Sequence, residues 1–488
     1  MSTSSPRLGV LLSVGASALV LTACASLPPA QASRVAKPPQ AYETAQSLAA
    51  PNADWPADAW WTAYGDPQLS ALEDEALKGS PTLAAAEARL RRAQALAAQA
   101  RAADLPRVGL SAQAGENKQS YNNGIPPAFV PRGYNDVGRV ALDFSWELDF
   151  WGKNRAAIAA ATSESKAAQA DAAQARLTLS TAIASTYAEL SRLHAQRDVA
   201  EQAVRLRQET SDLVAKRVAN GLDTKAESEQ AAAGPPASKA ELSALDEQIA
   251  LTRNALAALV GAGPDRGLAI GRPANAAIKP FGLPANLPAN LIGRRPDVVA
   301  AKWRAEAATA RTRQAKAAFY PDINLAGFVG VQSLYLDKLF SSGSDIGQVG
   351  PALSLPIFEG GRLRAGNAGE EAEALALLGK TMAERKLWRP ALDTLRMSLD
   401  LREVADVTAS EKALASRLAD ARAALTANEN AYRIARLRYE GQLSTYQSVL
   451  LAEQSVLAQR RVVADLESRA FALDIALIRA LGGGFTGA

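Results

Sequence analysis

Few residues in this chain are equipped for covalent or metal chemistry. Among 488 residues there is one cysteine, Cys24, and one histidine, His194. A structural or catalytic zinc needs three or four ligands, and a thiol nucleophile needs a base beside it. With one histidine, a cysteine that reads as a lipidation site and no paired acids in a motif, both lack parts, so no catalytic residue, metal site or cofactor is expected. His194 shares the apolar side of a helical run with Leu190, which suits a packed imidazole better than a ligand. The stretch "GAGPDRG" from Gly261 has the glycines of a phosphate loop but lacks the Gly-Lys-Ser/Thr ending and a preceding strand, so it reads as a helix stop.

The remaining reactive side chain, Cys24, sits at the end of "MSTSSPRLGVLLSVGASALVLTAC". Arg7 gives a weak positive start, and Leu8 to Leu21 form an apolar core short for a bilayer span. Residues 1–23 therefore read as a secretory signal. "LTAC" resembles a bacterial lipobox, which implies cleavage before Cys24 and lipidation of its sulfur. An ordinary signal peptide that happens to contain a cysteine is the alternative. A single cysteine in an exported chain forms no intrachain disulfide, which sharpens the lipoprotein reading. Ala25, rather than Asp, after the cysteine implies sorting to the outer membrane. Residues 24–59 are then a lipid-anchored segment. Apolar residues make up 48% and charged residues 21% of the chain, values of a folded protein rather than a disordered one. The net charge of +4 comes with no basic run, so nucleic acid is not an expected partner. No later segment has about 18 consecutive apolar residues, so a membrane crossing by the mature chain would have to be β.

The chain is written twice. "SPTLAAAEARL" from Ser80 is followed by "DLPRVGLSAQAG", as "RPDVVAAKWRA" from Arg295 is followed by "FYPDINLAGFVG". The spacing from Pro81 to Pro106 equals that from Pro296 to Pro321. "ALDFSWELDFWGKNR" from Ala141 pairs with "ALSLPIFEGGRLR" from Ala352. "RVANGLDT" (Arg217–Thr224) pairs with "RYEGQLST" (Arg438–Thr445), and "ALAALVGAG" from Ala255 pairs at the same offset with "ALIRALGGG" from Ala476. Residues 60–270 and 291–488 are thus two structural repeats joined by a linker, 271–290.

Each repeat reads as helix, strand, polar loop, strand and a long helical hairpin. Pro81 belongs just inside a helix start, where its missing N–H costs nothing. Strands are expected at Arg107–Gly115, Val140–Gly152, Asp322–Val331 and Gln348–Phe358. In "VALDFSWELDFWG", Val140, Leu142, Phe144, Trp146, Leu148 and Phe150 alternate with small or polar residues, a two-faced strand. Ala156–Ala219, Ala391–Glu440 and Gln442–Leu481 contain no Gly or Pro and read as very long helices. Such helices need partners along their length, and Ile183, Tyr187, Leu190 and Leu193 offer a coiled-coil-like seam. Two places interrupt this pattern, the "GPP" of Gly234–Pro236 and the glycine-containing region 366–390. Four two-faced strands cannot close a barrel and would leave edges open to lipid, so other copies must complete them.

The runs "WWTAYGDPQLSALEDEALKGSPTLAAAEARLRRAQA", "ALDFSWELDFWGKNRAA", "LIGRRPDVVAAKWRAEAATARTRQAKAAFYPDINL" and "LPIFEGGRLRA" resemble TolC/OprM-type outer membrane efflux proteins of the NodT lipoprotein branch. The resemblance covers roughly Trp55 to Phe485. It implies an α+β membrane protein: a homotrimer whose four strands per chain form one twelve-stranded β-barrel in outer-membrane lipid, continuous with a long periplasmic α-helical barrel. The implied function is a passive exit duct, with no enzymatic activity, serving a periplasmic adaptor and an inner-membrane pump. A protein-secretion duct of the same fold and a non-channel coiled-coil scaffold are the alternatives. Trp146 and Trp151 fit either an interfacial girdle or buried packing.

The same resemblance implies that the hairpin tips dock the adaptor, which singles out Arg217, Gly221, Leu222, Thr224, Arg438, Gly441, Leu443 and Thr445. As turns, Gly221 and Gly441 would allow the chain to reverse. Relatives carry an aspartate after the second tip in a "VLDAQ" stretch. Here "VLLAEQ" puts Leu451 there with Glu453 beyond it. An acidic gate would then fall to Glu227 after the first tip, unless Glu227 is simply a solvated helix charge.

Overall fold

The computed structural model describes residues 44–274, 281–285, 287–379 and 390–487. Cys24 and the signal segment lie outside the described residues. In chain order the elements are α1 (Pro67–Gly79), α2 (Pro81–Ala102), β1 (Arg107–Asn117), β2 (Asn135–Leu148), α3 (Lys153–Ala219), α4 (Lys225–Ala232) and α5 (Gly234–Leu259). There follow α6 (Pro264–Leu268), α7 (Leu287–Arg294), α8 (Pro296–Ala317), β3 (Asp322–Ser333), β4 (Asp345–Ser354), α9 (Arg362–Gly379), α10 (Pro390–Glu440) and α11 (Tyr446–Ala480). Two compact units each draw on both sequence repeats. One takes Arg91–Ala167 and Ala301–Leu392, and the other takes Ala36–Leu90, Ala168–Ala300 and Asp393–Ala488.

The first unit is built on an antiparallel sheet in the order β1-β2-β3-β4. Its register joins Leu110 to Leu142, Leu142 to Val329, Val108 to Phe144, Trp146 to Leu325, and Ile323 to Leu353. Directly opposed residues share a face, so all four strands point their apolar positions the same way. Across β2 and β3 this face carries no charge from the Leu148–Ile323 pair to the Val140–Val331 pair. Val108, Leu110, Val349 and Leu353 on it are 68–75% exposed. A large apolar face left bare by its own chain is expensive in water.

The other face is polar. Arg139 donates to Asp143 at 3.2 Å and to Ser111 Oγ at 3.2 Å, and Ser111 in turn donates to Asp143. Its one large apolar ring, Phe328, lies 5.0 Å from the Arg139 guanidinium. The outer edges of β1 and β4 have no strand partner among the described residues.

Two strand boundaries differ from expectation. β2 starts at Asn135 and leaves the ladder after Leu148, so Phe150, Trp151 and Gly152 are not strand residues. The chain turns there because Asp149 accepts the Arg155 N–H at 2.9 Å in the first turn of α3, while Gly152 takes φ +78°. β4 spans Asp345–Ser354, so the strand ends before Pro356 and not at Phe358. At the strand bases, the Trp146 indole donates to the Asp104 carbonyl at 3.0 Å. The Trp151 indole donates to the Pro321 carbonyl at 2.9 Å and stacks on Tyr320 at 4.9 Å. Both indoles stay substantially exposed, an arrangement suited to a wet–apolar boundary.

Helical segments of this unit are laced by ion pairs, Arg311 to Glu164 and Lys316 to Glu371, each at 2.9 Å. Lys166 lies over the Trp303 ring at 4.0 Å. Despite Gly366 and Gly369, α9 is helical to Gly379, and 380–389 lie outside the described residues.

In the second unit the seam residues Ile183, Tyr187, Leu190 and Leu193 are at most 2% exposed and share one core with Trp60, Trp61, Tyr64, Leu69, Leu72 and Phe471. Their helix, α3, has 67 residues, about 100 Å of length that only packing can hold straight. Asp66 locks α1 into this core by accepting the N–H groups of Gln68 (2.8 Å) and Leu69 (3.2 Å), as an N-cap should. Its other oxygen takes the Tyr187 hydroxyl at 2.7 Å and the Ala274 N–H at 3.1 Å. His194 sits on the α3 seam, half-buried; burial and then Arg253 and Arg272 hold its imidazole below the usual range.

Glu73 on α1 is the misfit of this core, with 0% exposure and no hydrogen-bond partner on either carboxylate oxygen. Burial pushes its carboxyl up to about 9, against the pull of Arg176, so it is held neutral at pH 7. A carboxyl whose pKa is raised by folding lends its full stability below the unfolded value near 4.3 and loses it progressively as pH rises toward the folded value. Thermal melts of the parent should therefore fall in midpoint between pH 5 and pH 9 more steeply than those of Glu73→Gln. Parallel curves for the two proteins would contradict the assignment.

Candidate functional site: the two hairpin tips

The two helical hairpins of the second unit turn at Asn220–Thr224 and Gly441–Thr445, and the turns are built alike. Leu222 N–H bonds the Arg217 carbonyl at 2.9 Å, and Leu443 N–H bonds the Arg438 carbonyl at 2.7 Å. Gly221 N–H bonds the Val218 carbonyl and Gln442 N–H the Tyr439 carbonyl, completing a Schellman pattern in each. The residue that needs positive φ is Gly221 (+70°) in the first turn but Gln442 (+61°) in the second. Gly441 is not the reversing residue. Aligning the turns on Arg, Leu and Thr pairs Gly221 with Gln442, and a non-glycine then bears the left-handed conformation.

Beneath the turns, Val214, Ala231, Tyr439, Tyr446 and Val449 form a small apolar cluster that draws the hairpins together. Arg217 closes over it. Its guanidinium donates to Asp223 at 2.8 and 3.2 Å and to the Tyr439 carbonyl at 2.7 Å, and lies 4.2 Å from the Tyr439 ring centre. The Tyr439 hydroxyl also donates to Asp223. Arg217 and Asp223 side chains are only 10% and 8% exposed, so this clamp is a desolvated pair joining the first tip to the second hairpin. Burial pushes the Asp223 carboxyl up, but the bonds from Arg217 and Tyr439 outweigh it and hold the group below the usual carboxylate range. The clamp is therefore intact above that range and is lost as pH falls through the depressed value.

Higher on the hairpins, Glu453 of α11 is 1% exposed. It accepts the Thr210 hydroxyl at 3.0 Å and pairs with Arg207 at 3.5 Å. Burial, opposed by these two neighbours, raises its carboxyl above the ordinary range.

The structure divides the expected tip residues into two groups. Arg217 is drawn inward, whereas Arg438, its counterpart in the second turn, is exposed and reaches only the Leu443 carbonyl at 3.5 Å. Leu222 and Leu443 are bare apolar side chains, 46% and 71% exposed. Gly221, Thr224, Gly441 and Thr445 are exposed beside them. Thr224 and Glu227 form a capping box that starts α4, with Glu227 accepting the Thr224 N–H at 2.8 Å, so Glu227 has a structural task. Leu451 is exposed, and the acid beyond it, Glu453, points inward. Sequence reasoning missed Asp223, Tyr439 and Arg207. The available signal for Asp223 was its difference from Ser444, between the Leu and Thr that the two turns share.

The turn geometry separates two similar substitutions. Gly221→Ala should cost about 1 kcal/mol in denaturant unfolding because it forces a Cβ into the left-handed region. Gly441→Ala, at the end of a helix with negative φ, should be neutral or stabilising. Equal costs would contradict the assignment of Gln442 as the reversing residue.

A family model described as outer membrane efflux protein matches residues 72–262 and 287–483, one block in each repeat. The fusaric acid resistance protein FusA of Burkholderia cepacia is 38% identical over 361 residues, covering 72% of this chain and 68% of that protein. The multidrug resistance outer membrane protein MdtP of Shigella flexneri is 30% identical over 497 residues, covering 98% and 97%. The crystal structure of the outer membrane protein VceC of Vibrio cholerae is similar with a TM-score of 0.80 and 44% identity, covering 88% of this chain and all of that one. The duplicated sequence, the four-stranded sheet and the paired hairpins thus agree with the sequence match: this chain belongs to the outer membrane efflux protein family.

Proposed function

We propose that three copies of this chain assemble into the exit duct of a tripartite efflux pump in the outer membrane. The observation that carries this is the four-stranded sheet with one bare apolar face and two unpaired edges. In hydrocarbon every backbone polar group needs a partner, and a barrel closed across copies supplies it. Apolar positions then face lipid, and Arg139, Asp143 and Glu147 face a wet lumen. Lipidation of Cys24 anchors the mature chain in the same membrane. The names of FusA and MdtP, a fusaric acid resistance protein and a multidrug resistance protein, favour small organic cargo.

The channel does no chemistry. Its task is to stay shut until the adaptor engages the tips. Arg438 and the bare Leu222 and Leu443, with Gly221, Thr224, Gly441 and Thr445, form the docking surface, and Arg217–Asp223–Tyr439 is the clamp that docking must overcome. Glu227 and Leu451 border the opening.

In planar bilayers the parent should open rarely. Asp223→Asn leaves a buried guanidinium without its countercharge, a loss of about 3 kcal/mol, and should raise open probability at neutral pH. Absence of conductance from both proteins would sink the duct reading. In cells, Arg438→Glu with Leu443→Asp should abolish drug resistance while leaving the amount of protein in the outer membrane unchanged. Retained resistance would remove these residues from docking.

A further inference from the structure

The prolines of "GPP" have no part in the clamp or the docking surface, yet they stand close above the first tip. Pro235 and Pro236 lack the N–H groups that would bond the carbonyls of Ala231 and Ala232, so the helix ends at Ala232 and restarts at Gly234. Ala233 between them keeps helical angles, φ −71° and ψ −23°, and its carbonyl accepts the Ala237 N–H at 3.3 Å, so the backbone crosses the break in helical conformation. Two missing bonds make this the weakest point in the hydrogen-bond ladder of the descending arm of the first hairpin.

The duplication supplies an internal control. At the same distance past Gln442 as the prolines lie past Gly221, the second hairpin has Val456 and Leu457, both buried inside the unbroken α11. Only the first hairpin carries the weak point.

The side chains around it mark where movement stops. Arg207 of α3 donates to Ser238 Oγ at 2.9 Å, in the first turns of α5, and pairs with Glu453 of α11. Ser238 is 1% exposed and also donates to the Gly234 carbonyl at 3.1 Å. Three helices are thus pinned together just above the prolines. Below them α4 has eight residues, about 12 Å, and only Ala231 of that helix belongs to the apolar cluster.

We propose that Ala233–Pro236 is a hinge on which α4, with Asp223 and Thr224 at its start, swings away from the second hairpin. Arg207 is the positioning residue that keeps the bend from spreading upward into α5. This rests on the gating role given to the tips above. The swing breaks the Asp223 bond to Tyr439 without moving the helices above Ser238.

Amide hydrogen exchange on the full detergent-solubilised protein tests the hinge independently of gating. Lys225–Ala233 should exchange about tenfold faster than the equivalent Tyr446–Gln454 of the second hairpin. Pro235→Ala with Pro236→Ala should remove most of that difference while raising or preserving the melting temperature. Exchange within about twofold in the two segments of the parent, or no slowing in the double variant, would overturn the hinge. Bilayer recordings then couple it to the gate: adding the double alanine change to Asp223→Asn should reverse most of the gain in open probability. Undiminished opening would overturn the hinge as the gating device, whereas a silent Asp223→Asn channel would count against the gate reading itself.

Discussion

Backbone hydrogen bonding at the two edges of one sheet is the constraint on which the rest of this structure depends. β1 and β4 each present a row of peptide groups with no strand partner among the described residues. In water such edges invite unwanted pairing, and beside lipid they are unaffordable. The apolar face is ill suited to a purely aqueous setting, and the open edges to a lone copy in the membrane. The proposed trimer would satisfy both conditions at once, by closing the sheet across copies. The polar face then needs water, which makes the closed sheet a conduit rather than a plug.

The helical part answers a different need. Helices of this length gain little from propensity, so their stability is lateral, through seams such as Ile183–Leu193 and side-chain bonds such as Tyr187 to Asp66. The two hairpins share the hydrogen-bond pattern of their turns but differ in side chains. Asp223 faces Ser444, Gly221 faces Gln442, and the prolines face Val456 and Leu457. Each substitution falls on the first hairpin or on its contact with the second. A gate needs such a difference, because two equally rigid hairpins have no preferred place to part.

Much of this was legible in the sequence because periodicity and repetition are local signals. The strands, the long helices and the tip turns all follow from residues close in the chain. The ends of β2 and β4 were misplaced because alternation continues past Leu148, while the ladder is ended by the Asp149 cap and Gly152. The clamp was not legible, since Arg217 meets the Tyr439 carbonyl across the width of the whole duplication. Arg217 and Arg438 read identically in sequence, and only packing buries the first against Asp223 and leaves the second exposed at its turn. Glu73 was invisible for a similar reason: within α1 it looks like one of a solvated run of acids.

The most direct test of the account is the mass of the detergent-solubilised particle, measured by light scattering with the detergent contribution subtracted. The proposed trimer predicts three chains per particle, with no stable monomer until the sheet itself melts. A monodisperse monomer that keeps its strands would leave the edges of β1 and β4 unpaired in the folded state, and would contradict the account at its foundation.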